Sequence, residues 1–279
     1  MSWCKELFGH EKPVIALLHL NAFPGDPLYK KGDSMKKTVE DARRDLHALQ
    51  DGGVDGILFS NEFSLPYQSD VDPVQPCGMA RVIGELMSEI TVPYGIDLEC
   101  DPMAALDLAA AVDASFIRGT FTGAYVGVEG ISDIDTSKIL RRKKALGLDN
   151  CRLLGEKTPR AVIYKSESNK LHVKYPELAK AIIFDCKPDA FCMTGAHAGI
   201  EANSTLIEDV REAIKGRGVP VFAATGCRRD NIEQKLDISD GALVGTTFKV
   251  DGVFENHIDP QRVKDFMEVV AEYRKEHND

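Results

Sequence analysis

Short apolar runs punctuate this chain, separated by stretches whose apolar residues recur at helical spacing. The runs fall at 13–20, 54–61, 92–100, 114–119, 160–165, 189–193, 219–223 and 242–244. An apolar run without polar alternation fits a strand buried on both faces, as in a parallel sheet. Between the first two runs, Val39, Ala42, Leu46 and Leu49 share one helical face, with Glu40, Asp41, Arg43 and Arg44 outside it. Gly52-Gly53 ends that helix. Asp101-Pro102 and Asp259-Pro260 each combine an acidic cap with proline at the first helical position, so helices start there. Thr205 and Glu208 have the spacing of a capping box. Further helices are predicted at 79–87, 139–146 and 176–184, with a short one near Asn231. Residues 1–12 read as a lead-in helix or coil. Residues 120–135 are Gly-rich and polar and read as a long loop, a length associated with function.

Eight strands alternating with helices imply parallel βα units. Eight such units in about 250 residues is the size of a (β/α)8 (TIM) barrel. The chain has no G-x-G-x-x-G after its first strand, which disfavours a doubly wound open sheet. Nothing marks a boundary, so 1–279 reads as one barrel domain.

Composition narrows the function. The chain has 279 residues, 43% hydrophobic and 28% charged, with a formal net charge of -10. An acidic chain lacks the basic footprint of a nucleic-acid surface and gains nothing from anionic lipid. Neither nucleic acid nor membrane is therefore an expected partner. A small anionic ligand remains compatible, because local donors outweigh the global field at short range. The 7 cysteines form no C-x-x-C pair, so no metal site is assigned. Unpaired cysteines and the lack of an apolar leader suggest a reducing, cytoplasmic setting.

Catalytic side chains of such a barrel come from the C-terminal strand ends. Here those ends carry His19, Asn61, Glu62, Asp97, Glu99, Arg118 and Lys165. Isolated buried charges are expensive, so a set this polar suggests a cluster around a ligand. Each has a structural alternative. His19 suits a core histidine as well as a site, and Asn61 could cap a turn. Arg118 needs an anionic partner, either Asp97 or a substrate phosphate. Lys165 reads as an acid–base group, a Schiff-base amine or an ion-pair partner. His197 follows the sixth strand within reach of a ligand. Cys192 and Cys227 read as small core residues.

A second group is rich in glycine and hydroxyls. Thr194-Gly195 follows the sixth strand, Thr225-Gly226 the seventh, and Gly245-Thr246-Thr247 the eighth. Glycine lets backbone N–H groups approach an anion, and helix N-termini favour it. The loops after strands seven and eight are the usual phosphate site of these barrels. Lys249 either supports that site or points to solvent.

The motifs resemble those of the BtpA/SgcQ family. They are the stretch 53–67 with Asn61-Glu62-Phe63-Ser64-Leu65-Pro66-Tyr67, the opening strand and loop at 14–26, the stretch 116–125, and the stretch 246–254, which opens on Thr246-Thr247-Phe248-Lys249 and closes on Phe254. The resemblance spans nearly the whole chain and is nearer the SgcQ branch. It implies a ribulose-phosphate-binding type of barrel. The BtpA branch is associated with photosystem I biogenesis, and the SgcQ branch with phosphotransferase uptake and phosphosugar handling. Many members carry Lys-His at the end of the fifth strand where this chain has Lys165-Ser166, so no role resting on that histidine carries over.

The expectation is an enzyme acting on a phosphorylated sugar or phosphoribosyl compound, by isomerisation, lyase chemistry or glycosidic hydrolysis. The alternative is a non-catalytic assembly or stability factor on the same scaffold. No cofactor is assigned, and self-association is left open.

Overall fold

The computed structural model describes residues 2–127, 130–156, 175–195 and 201–279. Eight parallel strands close into a barrel in the order β1(Val14–His19), β2(Gly56–Ser60), β3(Tyr94–Asp97), β4(Phe116–Gly119), β7(Arg152–Glu156), β8(Ala190–Met193), β9(Val221–Ala224) and β10(Ala242–Val244). Closure is made by β10 against β1, with Val14 opposite Ala242 and Ala16 opposite Val244.

Seven of these strands overlap the predicted runs; the fifth does not. It is Arg152–Glu156, paired with β4 from Phe116↔Arg152 to Gly119↔Gly155 and with β8 from Leu154↔Ala190. The run at 160–165, predicted as that strand, lies outside the described residues. The expected loop at 120–135 is also corrected. It folds as an antiparallel hairpin of β5(Gly123–Gly127) and β6(Gly130–Ile134), a two-stranded sheet apart from the barrel.

The helices follow their local signals. In α2(Met35–Asp51), Val39, Ala42, Leu46 and Leu49 are all buried, and Gly53 follows at φ +86. That left-handed geometry suits glycine. Asp101 caps α4(Pro102–Ala111) by accepting from the N–H of Met103 and Ala104, and Asp259 caps α9(Pro260–His277) through Gln261 N. The capping box at Thr205 is not used. Asn203 caps α7(Ser204–Ala213) instead, accepting from Leu206 N. The carboxamide sits one residue outside the helix, where a cap must be. Among the described residues no helix is long and apolar enough to cross a membrane.

Two apolar layers result. The outer one fills the space between strands and helices. The inner one fills the barrel with Ile15, Leu58, Phe116, Leu154, Phe222 and Leu243. The lead-in is a plug for this interior. Phe8, on α1(Trp3–Phe8), packs edge-on against Phe116 at 5.5 Å between ring centroids, and Trp3 against Phe222 at 6.3 Å. Gly56 makes room for it, since a Cβ there would lie 2.7 Å from the Phe8 ring.

Near the plugged end, three aspartates repeat one arrangement. Asp55 accepts from Val14 N, Asp189 from Leu153 N, and Asp240 from Val221 N. Each also holds an arginine: Arg274, Arg152 and Arg211 respectively. The carboxylate thus satisfies a strand-start N–H that lacks a ladder partner. One end of the barrel is tied shut, which leaves the C-terminal strand ends as the open face.

Candidate active site

Adjacent strands β10, β1, β2, β3 and β4 bring most of the polar strand ends into one arc. His19 ends β1 and is 8% exposed, with Glu62 beyond β2 at 4.0 Å from Nε2 to Oε2. Glu62 also accepts from Ser60 Oγ at 3.1 Å. Among the described residues neither ring nitrogen of His19 has a hydrogen-bond partner. Burial, then the positive charges of Lys249 and Arg118, push its pKa well below the ordinary value. The ring is therefore neutral at pH 7, with one nitrogen free to accept a proton.

Arg118 and Asp97 form the buried pair that the sequence left open. Arg118 Nη1 donates to Asp97 Oδ2 at 2.6 Å, and Glu99 Oε1 stands 3.9 Å from the same nitrogen. Asp97 is fully buried and Arg118 is 5% exposed. The guanidinium is fixed in place by the carboxylates, a preorganised positive charge within reach of the site.

Asn61 is occupied with positioning. Its Nδ2 donates to Gln75 Oε1 at 3.1 Å, and its Oδ1 accepts from Glu99 N at 2.9 Å. Gln75 passes the network to Asp26, which also accepts from Phe23 N and Ser64 Oγ. This network sets the loops after β1, β2 and β3 against one another. Lys165 and His197 lie outside the described residues.

The glycine-rich group divides. Thr225 has φ +75, an unfavourable conformation for a β-branched residue, and its Oγ1 accepts from Gly195 N at 2.7 Å. Gly226, at φ +69, packs on Glu201: a Cβ there would lie 2.3 Å from Glu201 Cα. Thr247 Oγ1 donates to Cys227 O at 2.6 Å. Thr194 ends beside Gly195 without a side-chain bond among the described residues. These groups brace the loops after β8, β9 and β10. Gly245 and Thr246 differ. Gly245 faces His19, where a Cβ would lie 3.0 Å from Nε2, and the Thr246 hydroxyl makes no hydrogen bond among the described residues.

Three aromatic residues and one lysine complete the mouth. Phe63 and Phe254 sit 5.2 Å apart and face His19 at 6.3 and 5.4 Å. Tyr67 donates to Glu62 O at 3.3 Å, and burial with the charges of Glu62, Glu99 and Asp97 pushes its hydroxyl pKa up. Lys249 does not point to solvent. It is 2% exposed, and burial lowers its pKa to about 8. The aromatic residues lie within the family motifs, yet their meeting across 191 positions, from 63 to 254, carried no local signal. Cys227 is a core thiol, pushed up to about 12 by burial. Among the described residues no three His, Cys, Asp or Glu side chains converge as metal ligands.

An acceptor histidine beside a carboxylate, with a fixed guanidinium near it, is equipped for proton transfer next to a developing negative charge. Residues 10–272 match the family described as the BtpA family. The chain is 42% identical to the sgc region protein SgcQ of Escherichia coli K12, over 99% of this chain and 100% of that one. It is 30% identical to the photosystem I biogenesis protein BtpA of Synechocystis, over 96% and 91%. Among solved structures, phosphoribosyl anthranilate isomerase from Thermus thermophilus superposes with a TM-score of 0.55 at 14% identity, covering 94% of this chain and 100% of that one. N-acetylmannosamine-6-phosphate 2-epimerase from Clostridium perfringens gives 0.52 at 13%, covering 94% and 95%. At such identities the likeness shows the fold alone.

Proposed function

The chain belongs to the BtpA family, and from that premise we propose that it is an enzyme moving a proton on a phosphorylated sugar or phosphoribosyl compound, with His19 as the acid–base group. One observation carries this reading: a buried, neutral imidazole with neither nitrogen hydrogen-bonded among the described residues. Leaving buried polar atoms unpaired costs about 1–3 kcal/mol each. A ligand that takes up the ring nitrogens removes that cost. Two of the superposable barrels are named as enzymes of phosphorylated or phosphoribosyl compounds, an isomerase and an epimerase, which agrees with proton transfer.

In this reading His19 accepts a proton from the substrate carbon or hydroxyl next to a carbonyl. Glu62 stabilises the imidazolium that forms, and Arg118 the oxyanion. Asp97 holds Arg118 in position. The phosphate lies near the backbone of Gly245, whose missing side chain lets the chain approach His19 closely, and the Thr246 hydroxyl is available. Binding energy from that remote group orients the reacting end. The same histidine favours an enzyme over the assembly role named for the Synechocystis relative, since a scaffold has no use for an unpaired buried imidazole.

The test is deuterium uptake from D2O into a panel of sugar phosphates and phosphoribosyl compounds, read by mass spectrometry. The wild type should label at least one of them. His19→Gln should label it about 100-fold more slowly or worse. Equal labelling by the variant sinks the assignment.

A further inference from the structure

Residues 249–258 cross the barrel mouth above His19. The two ends of this strap are fixed by backbone bonds. Lys249 bridges Ile258 in antiparallel fashion, Val250 N donates to His257 O, and Asp259 N donates to Phe248 O. Asp45 holds the same neck from α2, through Ile258 N at 3.4 Å and His257 at 3.8 Å. The apex is held differently. Phe254 lies on His19 and Phe63, and its carbonyl accepts from Lys249 Nζ at 2.6 Å. On the strap Val250 and Val253 are 39% and 44% exposed, so little packs over it. Segments with few buried contacts open most readily.

Lys249 is an unusual latch. An ammonium has three donors. Among the described residues Lys249 Nζ makes one hydrogen bond, to Phe254 O, and no carboxylate stands within ion-pair distance. Its other neighbours are the rings of Phe63 and Phe254, at 5.0 and 5.3 Å. These are the rings that His19 packs on, so ammonium and imidazole share one aromatic wall. Asp45, Glu62 and Glu255 act on it only from beyond ion-pair distance, and burial outweighs them, so an anion brought into direct contact with the ammonium is favoured. Gly245, four positions earlier, packs closely against the same histidine.

We infer that Lys249 is the residue that reads the substrate's anionic group, and that in doing so it gives up the Phe254 carbonyl and releases the strap over His19. This rests on the anionic-substrate reading given above. It assigns specificity to one side chain. A neutral analogue leaves Lys249 on Phe254, and His19 stays covered. A phosphorylated one exchanges the bond and uncovers the ring.

Inorganic phosphate is the probe, with chloride at equal ionic strength as reference. Amide exchange at 251–257 in the wild type should quicken several-fold in phosphate. Lys249→Met, which keeps the stem and removes the charge, should exchange rapidly in chloride already, show no further response, and bind phosphate about tenfold to a hundredfold more weakly. Lys249→Arg, which keeps a cation, should retain the response. Phosphate that binds the wild type without changing exchange at 251–257 overturns the strap. Unchanged phosphate affinity in Lys249→Met overturns the assignment of the anion to this side chain. Both outcomes leave the acid–base reading intact, because deuterium uptake tests His19 separately. If the wild type binds no phosphate, the anionic-substrate reading falls and this inference falls with it.

Discussion

A Cβ on Gly245 would lie 3.0 Å from His19 Nε2 and 3.5 Å from Leu17 Cβ. The last strand of the barrel therefore ends without a side chain where the first strand presents its buried imidazole. Gly245→Val presses a side chain against His19 and moves the backbone away from it. Binding of inorganic phosphate, followed by calorimetry, should weaken by about tenfold or more, which corresponds to about 1.4 kcal/mol. Lys36→Ala, at an exposed position on α2, should not change it. Equal affinity in the two variants removes the anion from Gly245.

The Arg118–Asp97 pair should matter for stability as well as for chemistry. Asp97→Asn leaves a guanidinium that is 5% exposed with a weakened counter-charge. Breaking a buried pair at one partner costs about 3–5 kcal/mol. Urea unfolding should show a loss of that order, with the midpoint moving and the slope unchanged. A shift below about 0.5 kcal/mol, typical of a surface change, contradicts the burial of this pair.

Stability should fall in mild acid through His19. Burial holds its folded pKa well below 6.5, the ordinary histidine value that the unfolded chain keeps. As pH drops through 6.5 the unfolded chain takes up a proton that the folded ring does not, so unfolding gains. The lost stability approaches about 1.4 kcal/mol per pH unit between the ordinary value and the folded pKa, and the slope ends below that pKa. His19→Asn removes this component. The wild-type stability minus that of the variant, measured by urea unfolding across the acid range, should decline as pH falls. A difference that stays flat shows that His19 protonates freely in the folded state.

Phe8→Ala should loosen the closed end and spare the mouth. The ring is 7% exposed and fills the barrel floor against Phe116. Its removal should cost about 3–5 kcal/mol. Phosphate affinity at a temperature where the variant is folded should stay at the wild-type value. A parallel loss of phosphate binding would tie the plug to the site.

The β5–β6 hairpin directly follows β4, which carries Arg118. Ile131 on it is 75% exposed. We expect the hairpin to serve as a lid. Its amide exchange should slow when a labelled substrate from the deuterium screen is bound. Such closure excludes water from proton transfer. Equal exchange with and without that substrate argues against a lid.

The sequence by itself determined the alternation of strands and helices, the caps at Asp101 and Asp259, the stop at Gly53 and the polarity of the strand ends. These are local properties. Apolar period reports burial, and a cap is read within four residues of the helix it starts. The family motifs also lay within single segments. The tertiary structure decided the rest. Leu153-Leu154 is too short an apolar run to read as a strand by itself, and pairing with Ile117, Arg118 and Ala190 makes it part of the fifth strand. Thr225, Gly226 and Thr247 have the composition of an anion loop, yet their partners Gly195, Glu201 and Cys227 come from elsewhere in the chain. Lys249 read equally well as a surface cation. It is drawn inside because β10 closes on β1, which sets the strap beside His19 and Phe63. Local pattern shows that a residue is buried. Which buried groups then meet depends on chain closure over more than two hundred residues, and no spacing in the sequence encodes that distance.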